Sequence, residues 1–229
     1  MSTVVKDEIE TMAELIELVE RLGGIPPERV LMRPRPGEAT EADLLEQLAR
    51  KRFCELVEGT LVEKGMGFQE SSLAVWLAVL LHNALGDRDP GIWSGESGMM
   101  RLETGLVRAP DLSFTSWSKF PAGDRSVAPI ADLVPDLAIE VLSASNTPGE
   151  IRRKLGEYFH AGTELVWIVD PVRRVVVVHT APQTSTTLTE ADTIDGAAVL
   201  PGVRIPVSRV FQKTPIVAPK PKPRRRKGP

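Results

Sequence analysis

The stretch Pro135-Asp136-Leu137-Ala138-Ile139-Glu140-Val141-Leu142 decides how this chain is read. Successive side chains of a strand point to opposite faces, so Leu137, Ile139 and Val141 share one face. Asp136, Ala138, Glu140 and Leu142 share the other. Glu140 thus lies in mid-strand among apolar neighbours, where an unpaired carboxylate is costly. Either the side chain meets a cation or it binds a metal ion. Just downstream, Thr147 is an N-cap, Pro148 occupies the first helical position and Glu150 closes a capping box. The predicted helix stops at Ala161-Gly162. Residues 165–169 and 175–178 then read as buried strands joined by an Asp170-Pro171 turn.

Upstream, residues 53–63 read as a hairpin around Glu58-Gly59. Residues 69–85 form a helix with Leu73, Trp76, Leu77, Leu80 and Ala84 on one stripe and Gly86 as C-cap. Extended segments follow near 98–102, 109–115 and 137–142. The order is helix, three strands, helix, strand, an α/β arrangement. Before it, residues 5–22 carry Met12, Leu15, Ile16, Val19 and Leu22 at helical spacing, with Gly23-Gly24 as a stop. Pro26, Pro27, Pro34 and Pro36 make a linker, and Thr40 with Asp43 caps a second short helix. We divide the chain into an N-terminal helical extension (1–50), a main domain (51–212) and a basic tail (213–229).

The chain has 229 residues, 42% apolar and 26% charged, the composition of a globular protein. Cys54 is the only cysteine, which excludes intrachain disulfides and thiolate zinc clusters. No apolar run is long enough to span a membrane, and Asp7, Glu8 and Glu10 stand where a signal peptide would be basic. The expectation is a soluble cytoplasmic protein with no membrane partner. The net charge of −3 hides an asymmetry. Residues 213–229 hold seven basic and no acidic side chains, among them Lys220, Lys222, Arg224, Arg225, Arg226 and Lys227. The rest carries 21 basic against 31 acidic residues, a net −10. The Pro/Lys/Arg-rich tail is expected to be disordered. Its cations suit a phosphate backbone, although a solubilising terminus is the simpler alternative.

Asp111 opens a strand in a setting like that of Glu140. Two carboxylates aimed at one point from adjacent strands make half of a divalent-ion site, since Mg²⁺ takes one or two carboxylates, a carbonyl and several waters. Structural ion pairs are the competing reading. On the capped helix, Ile151, Leu155 and Tyr158 fall on the stripe that faces the sheet. Lys154 lies at the border of that stripe, able to present its ammonium to Glu140 or to a phosphate. His82, His160 and His179 have neither metal-ligand spacing nor an evident nucleophile partner.

Several blocks together resemble the Uma2 family, formerly a domain of unknown function, of the PD-(D/E)XK restriction-endonuclease-like superfamily. They are Glu55-Leu56-Val57-Glu58-Gly59, Arg108-Ala109-Pro110-Asp111, residues 135–143, Lys154-Leu155 with Tyr158, and Ala161-Gly162 with Trp167-Ile168-Val169-Asp170-Pro171. The resemblance spans about residues 40–211. It implies an αβββαβ core with a mixed central sheet flanked by helices. It also implies that Asp111 and Glu140 are metal-binding carboxylates aided by the Val141 carbonyl, with Mg²⁺ or Mn²⁺ as cofactor. The superfamily lysine usually lies two residues after the strand carboxylate, where this chain has Leu142. Lys154 is the replacement candidate. Gln69 stands where the family often has a histidine; it falls on the inward stripe and, as a neutral amide, could orient water but not act as a base. Glu55 is a secondary candidate whose simpler reading is cross-sheet pairing. The implied function is Mg²⁺-dependent DNA endonuclease activity, with a homodimer as a candidate assembly. The alternative is an inactive nuclease-fold module that binds nucleic acid or a protein.

Overall fold

The computed structural model describes residues 2–65, 67–120 and 127–213. In chain order the elements are α1 (Ser2–Arg21), α2 (Glu41–Ala49), β1 (Cys54–Val57), β2 (Thr60–Glu63), α3 (Phe68–Leu85), β3 (Gly91–Gly95), β4 (Met100–Glu103), β5 (Leu106–Arg108) and β6 (Leu112–Ser116). There follow β7 (Leu137–Val141), α4 (Pro148–Ala161), β8 (Leu165–Asp170), β9 (Val175–Ala181), β10 (Thr184–Leu188), β11 (Thr193–Asp195), β12 (Arg204–Pro206) and α5 (Val207–Val210). No described helix is long and apolar enough to cross a membrane. The tail cations Lys220, Lys222, Arg224, Arg225, Arg226 and Lys227 lie outside the described residues.

The central sheet has six strands in the order β10-β9-β8-β7-β6-β3. Only β7 and β8 run parallel, because α4 carries the chain back over the sheet between them. The alternation of residues 137–142 sorts its side chains onto the two faces as its period of two requires. Leu137, Ile139 and Val141 join Leu73, Leu77 and Leu81 of α3 in one core. Ala138 meets Leu155 and Tyr158 of α4, with Leu18 and Leu22 of α1, on the other face. Each fully buried leucine contributes about 2 kcal/mol from its loss of contact with water. A second sheet, β2-β1-β5-β4, closes over a smaller core with α2.

Some sequence expectations need correction. The first of the three core strands is β3, whereas the segment near 98–102 becomes β4 in the second sheet. The sequence hides β3 because it lies at the sheet edge between two glycines and shows no apolar alternation. On α1, Met12 and Ile16 are exposed, and Leu18 and Leu22 are the buried positions. The Thr147 cap is half of the box predicted. Thr147 Oγ1 accepts the Glu150 N–H at 3.1 Å, but the Glu150 carboxylate turns to Arg29 instead. The reciprocal box forms at Thr40 and Asp43.

Candidate active site

Asp111 ends the connection from β5 to β6, the strand beside β7. Its Oδ2 accepts the backbone N–H of Val141 at 2.8 Å, which ties the carboxylate to the end of β7. Its Oδ1 lies 2.9 Å from Nζ of Lys64, which also donates to the Ala109 carbonyl. Glu140 projects from the other face of β7 relative to Val141 and points at α4. Lys154 Nζ donates to its two oxygens at 3.0 and 3.1 Å, and the Tyr158 hydroxyl donates to Oε1 at 2.6 Å. Burial raises the pKa of Glu140; Lys154 opposes the rise and Asp111 adds to it. Burial and the neighbouring Glu140 charge also raise the Tyr158 hydroxyl well above its ordinary value.

Lys154 is buried. Its aliphatic stem does not carry the ammonium outward, and the border position read from the helix stripe is corrected on that point. Nζ also donates to Glu55 Oε1 at 3.2 Å, and Arg108 Nη1 donates to Glu55 Oε2 at 2.7 Å. Burial opposes ionisation of Glu55, yet Lys154 and Arg108 together hold its carboxyl well below the usual range. Burial likewise disfavours the Lys154 ammonium, and Glu140 and Glu55 overcome it, raising its pKa above the usual lysine value.

Asp111, Glu140, Val141 and Lys154 line one small cavity together with Arg29, Lys64 and Glu70. Three cations thus face three carboxylates. Glu55 stands behind Lys154 and does not line this cavity. Gln69 is half-buried in the first turn of α3, but the residue that α3 contributes to the lining is its neighbour Glu70. Among the described residues no group of three or more His, Cys, Asp or Glu side chains forms a ready metal cage. The carboxylate oxygens that line the cavity come from Glu70, Asp111 and Glu140. This hard-oxygen set fits Mg²⁺, which keeps several of its waters.

Three contributors were not legible as site residues. Lys64 ends a hairpin strand with no motif around it. Arg29 comes from the proline-rich linker, 121 positions from its bidentate partner Glu150 at 2.8 and 3.0 Å. Glu70, in the first turn of α3, has no motif around it that marks it as a site residue.

An αβββαβ core with a carboxylate pair at the ends of adjacent central strands defines the restriction-endonuclease-like class of α/β proteins. Within it the chain belongs to the Uma2 family, described as "Putative restriction endonuclease", whose profile matches residues 41–208. A solved structure with the same fold is "a putative nuclease belonging to DUF820 from Anabaena variabilis ATCC 29413". It is 18% identical, aligns with a TM-score of 0.63, and covers 73% of this chain and 97% of its own. No curated protein matches the chain.

Proposed function

We propose that this protein is a divalent-cation-dependent endonuclease that hydrolyses phosphodiester bonds of DNA. The observation that carries the reading is the shared cavity: Asp111 and Glu140 reach it from neighbouring strands, with Lys154 beside them. The Uma2 match supports a nuclease. Asp111, Glu140 and the Val141 carbonyl would hold Mg²⁺ or Mn²⁺. When bound, such an ion lowers the pKa of a water ligand and offsets charge on the phosphate.

The remaining work falls to the chain's own groups. Lys154 balances the buried Glu140 charge and stabilises negative charge brought by the substrate. Lys64 and Arg29 offset carboxylate charge at the same cavity, which lessens the repulsion a phosphate would meet there. Val141 fixes the Asp111 carboxylate through its N–H, so that one oxygen keeps a constant direction. The tail cations from Lys220 to Lys227 raise encounter with the polymer in a salt-dependent way. A homodimer would supply two such sites for cutting both strands.

A second reading has its own support. Each carboxylate already has an ammonium partner, and Leu142 stands at the usual lysine position, which favours a module that binds nucleic acid without cutting it. Plasmid nicking in Mg²⁺ or Mn²⁺ separates the two. Metal-dependent nicking by the wild type, absent in folded Asp111→Asn and Glu140→Gln variants, is the expected result. Retention of plasmid by a wild type that never nicks it would establish the module instead.

A further inference from the structure

The proposed phosphodiester chemistry leaves a second surface beside Asp111 unexplained. A groove of about 650 Å³ runs between α3 and the β3–β4 connection. Ala78, Val75 and Val79 form its helical wall, and Trp93 stands on the opposite wall. Val75 and Val79 are 64% and 41% exposed, so this apolar wall faces solvent. The Trp93 ring is braced against Phe114, with ring centroids 5.0 Å apart. Glu96 supplies a carboxylate acceptor on the lining, and Asp111 belongs both to this groove and to the small cavity of Glu140 and Lys154.

These features specify a ligand. Among the described residues no lysine or arginine lines the groove, which makes its described walls a poor seat for phosphates. Its size suits a small ligand, and mainly apolar walls that also carry polar groups, His82 and Glu96 among them, suit a heterocycle. A carboxylate on the lining accepts N–H groups from an amino-bearing base edge. Asp111 lines both the groove and the small cavity, so the groove adjoins the position proposed above for the scissile phosphate. A base still paired inside a duplex reaches such a groove only by leaving its stack, at a cost of a few kcal/mol; an unpaired base avoids that cost.

We propose that this groove seats one unpaired nucleobase of the strand whose phosphate lies at Asp111 and Glu140, which makes single-stranded or locally unpaired nucleic acid the substrate. The proposal rests on the nuclease reading for the phosphate and adds the state of the strand. Fluorescence anisotropy with the full chain tests it in Ca²⁺, using three probes of equal length: an oligo-deoxycytidine strand, a fully abasic sugar–phosphate strand and a duplex.

The base-bearing strand should bind at least about tenfold more tightly than the abasic strand, as base stacking implies. Replacing Val75→Gln and Val79→Gln together should bring that ratio to within about twofold and leave affinity for the abasic strand unchanged; both residues are solvent-facing, and thermal melting checks the fold. Glu96→Gln should weaken binding to cytidine more than to thymidine strands, by about fivefold. Equal affinity for the three probes, or a ratio that the double variant leaves intact, overturns the groove assignment while leaving the nuclease reading standing. Failure to bind any probe, with no nicking, overturns both. A concentration-dependent dimer that the double variant dissociates assigns the groove to a second copy and overturns the proposal.

Discussion

Lys154 Nζ lies 3.0 Å from Glu140 Oε1 on β7 and, through the same ammonium, 3.2 Å from Glu55 Oε1 on β1. One helical lysine therefore joins strands from two separate sheets. The chain of charges continues outward: Arg108 holds Glu55 and Glu157, and Glu157 holds Arg153. Such a network holds together only while every member is present, because each charge was removed from water to form it.

Lys154→Met should be strongly destabilising. It leaves Glu140 and Glu55 facing one another without the intervening cation, and breaking a buried pair from one side costs about 3–5 kcal/mol. Urea unfolding measures the loss. Adding Glu140→Gln to that variant should recover part of it, since the double variant buries one charge fewer. Strict additivity of the two changes would show that the contact is not energetically coupled.

The same network sets a pH window. Glu55 is held below its ordinary 4.5, so its contribution is present above about pH 4.5 and is lost as the pH falls toward its depressed folded value. Lys154 is held above its ordinary 10.5, so its contribution is present below about pH 10.5 and disappears as the pH rises through its folded value. Glu140 is raised above 4.5 and acts in the opposite sense. It favours folding in acid and withdraws that support as the pH climbs. Unfolding free energy measured against pH should fall at both ends. Glu55→Gln should flatten the acid arm, and Glu140→Gln should deepen it.

Tyr158→Phe isolates one donor. The hydroxyl is fully buried and gives Glu140 a hydrogen bond of 2.6 Å. Its loss leaves the ring packing intact and removes a charge-assisted bond, worth about 1.5–3 kcal/mol. Glu140 should then titrate still higher. If nicking is detected, its acid limb should move to higher pH in this variant, and thermal stability should fall in step with the lost bond.

What the sequence disclosed about this site follows from the range of its interactions. Glu140 was legible because a carboxylate in an alternating apolar strand has no local excuse, and the N-cap of α4 was legible because Thr147 and Pro148 are adjacent. The helix period placed Lys154 on the correct side of α4 but could not give its depth, which depends on Glu55 arriving from another sheet. Lys64 and Arg29 were illegible for the same reason. Their partners lie 47 and 121 positions away, and neither stands in a periodic element that would aim it. The Glu150 side chain shows the reverse error. A local rule assigned it to a capping box, and a distant guanidinium outcompeted that local bond.

Arg29 and Glu150 hold the linker against the start of α4, and a pair of glycines makes that approach possible. Gly23 has φ +91°, and a Cβ placed there would lie 2.4 Å from the Glu150 nitrogen and 2.5 Å from the Gly149 carbonyl carbon. Gly149 is equally confined, with a Cβ position 2.3 Å from the Gly23 oxygen. The Thr147 hydroxyl donates to that same oxygen at 2.6 Å. These are backbone atoms and have little room to yield. Gly23→Ala must push the end of α1 off α4, loosening Leu18, Leu22 and Ile25 from their core as well as straining the backbone. Gly24 provides the control: it also has a positive φ, of +73°, but a Cβ there meets nothing within 4 Å. Gly24→Ala should therefore cost only the left-handed strain, about 1–2 kcal/mol. Gly23→Ala should cost at least about twice that and open the α1 junction to limited proteolysis while residues 41–208 remain folded. Equal loss of stability in the two variants would mean that the contact between Gly23 and Gly149 is not what seats the N-terminal segment.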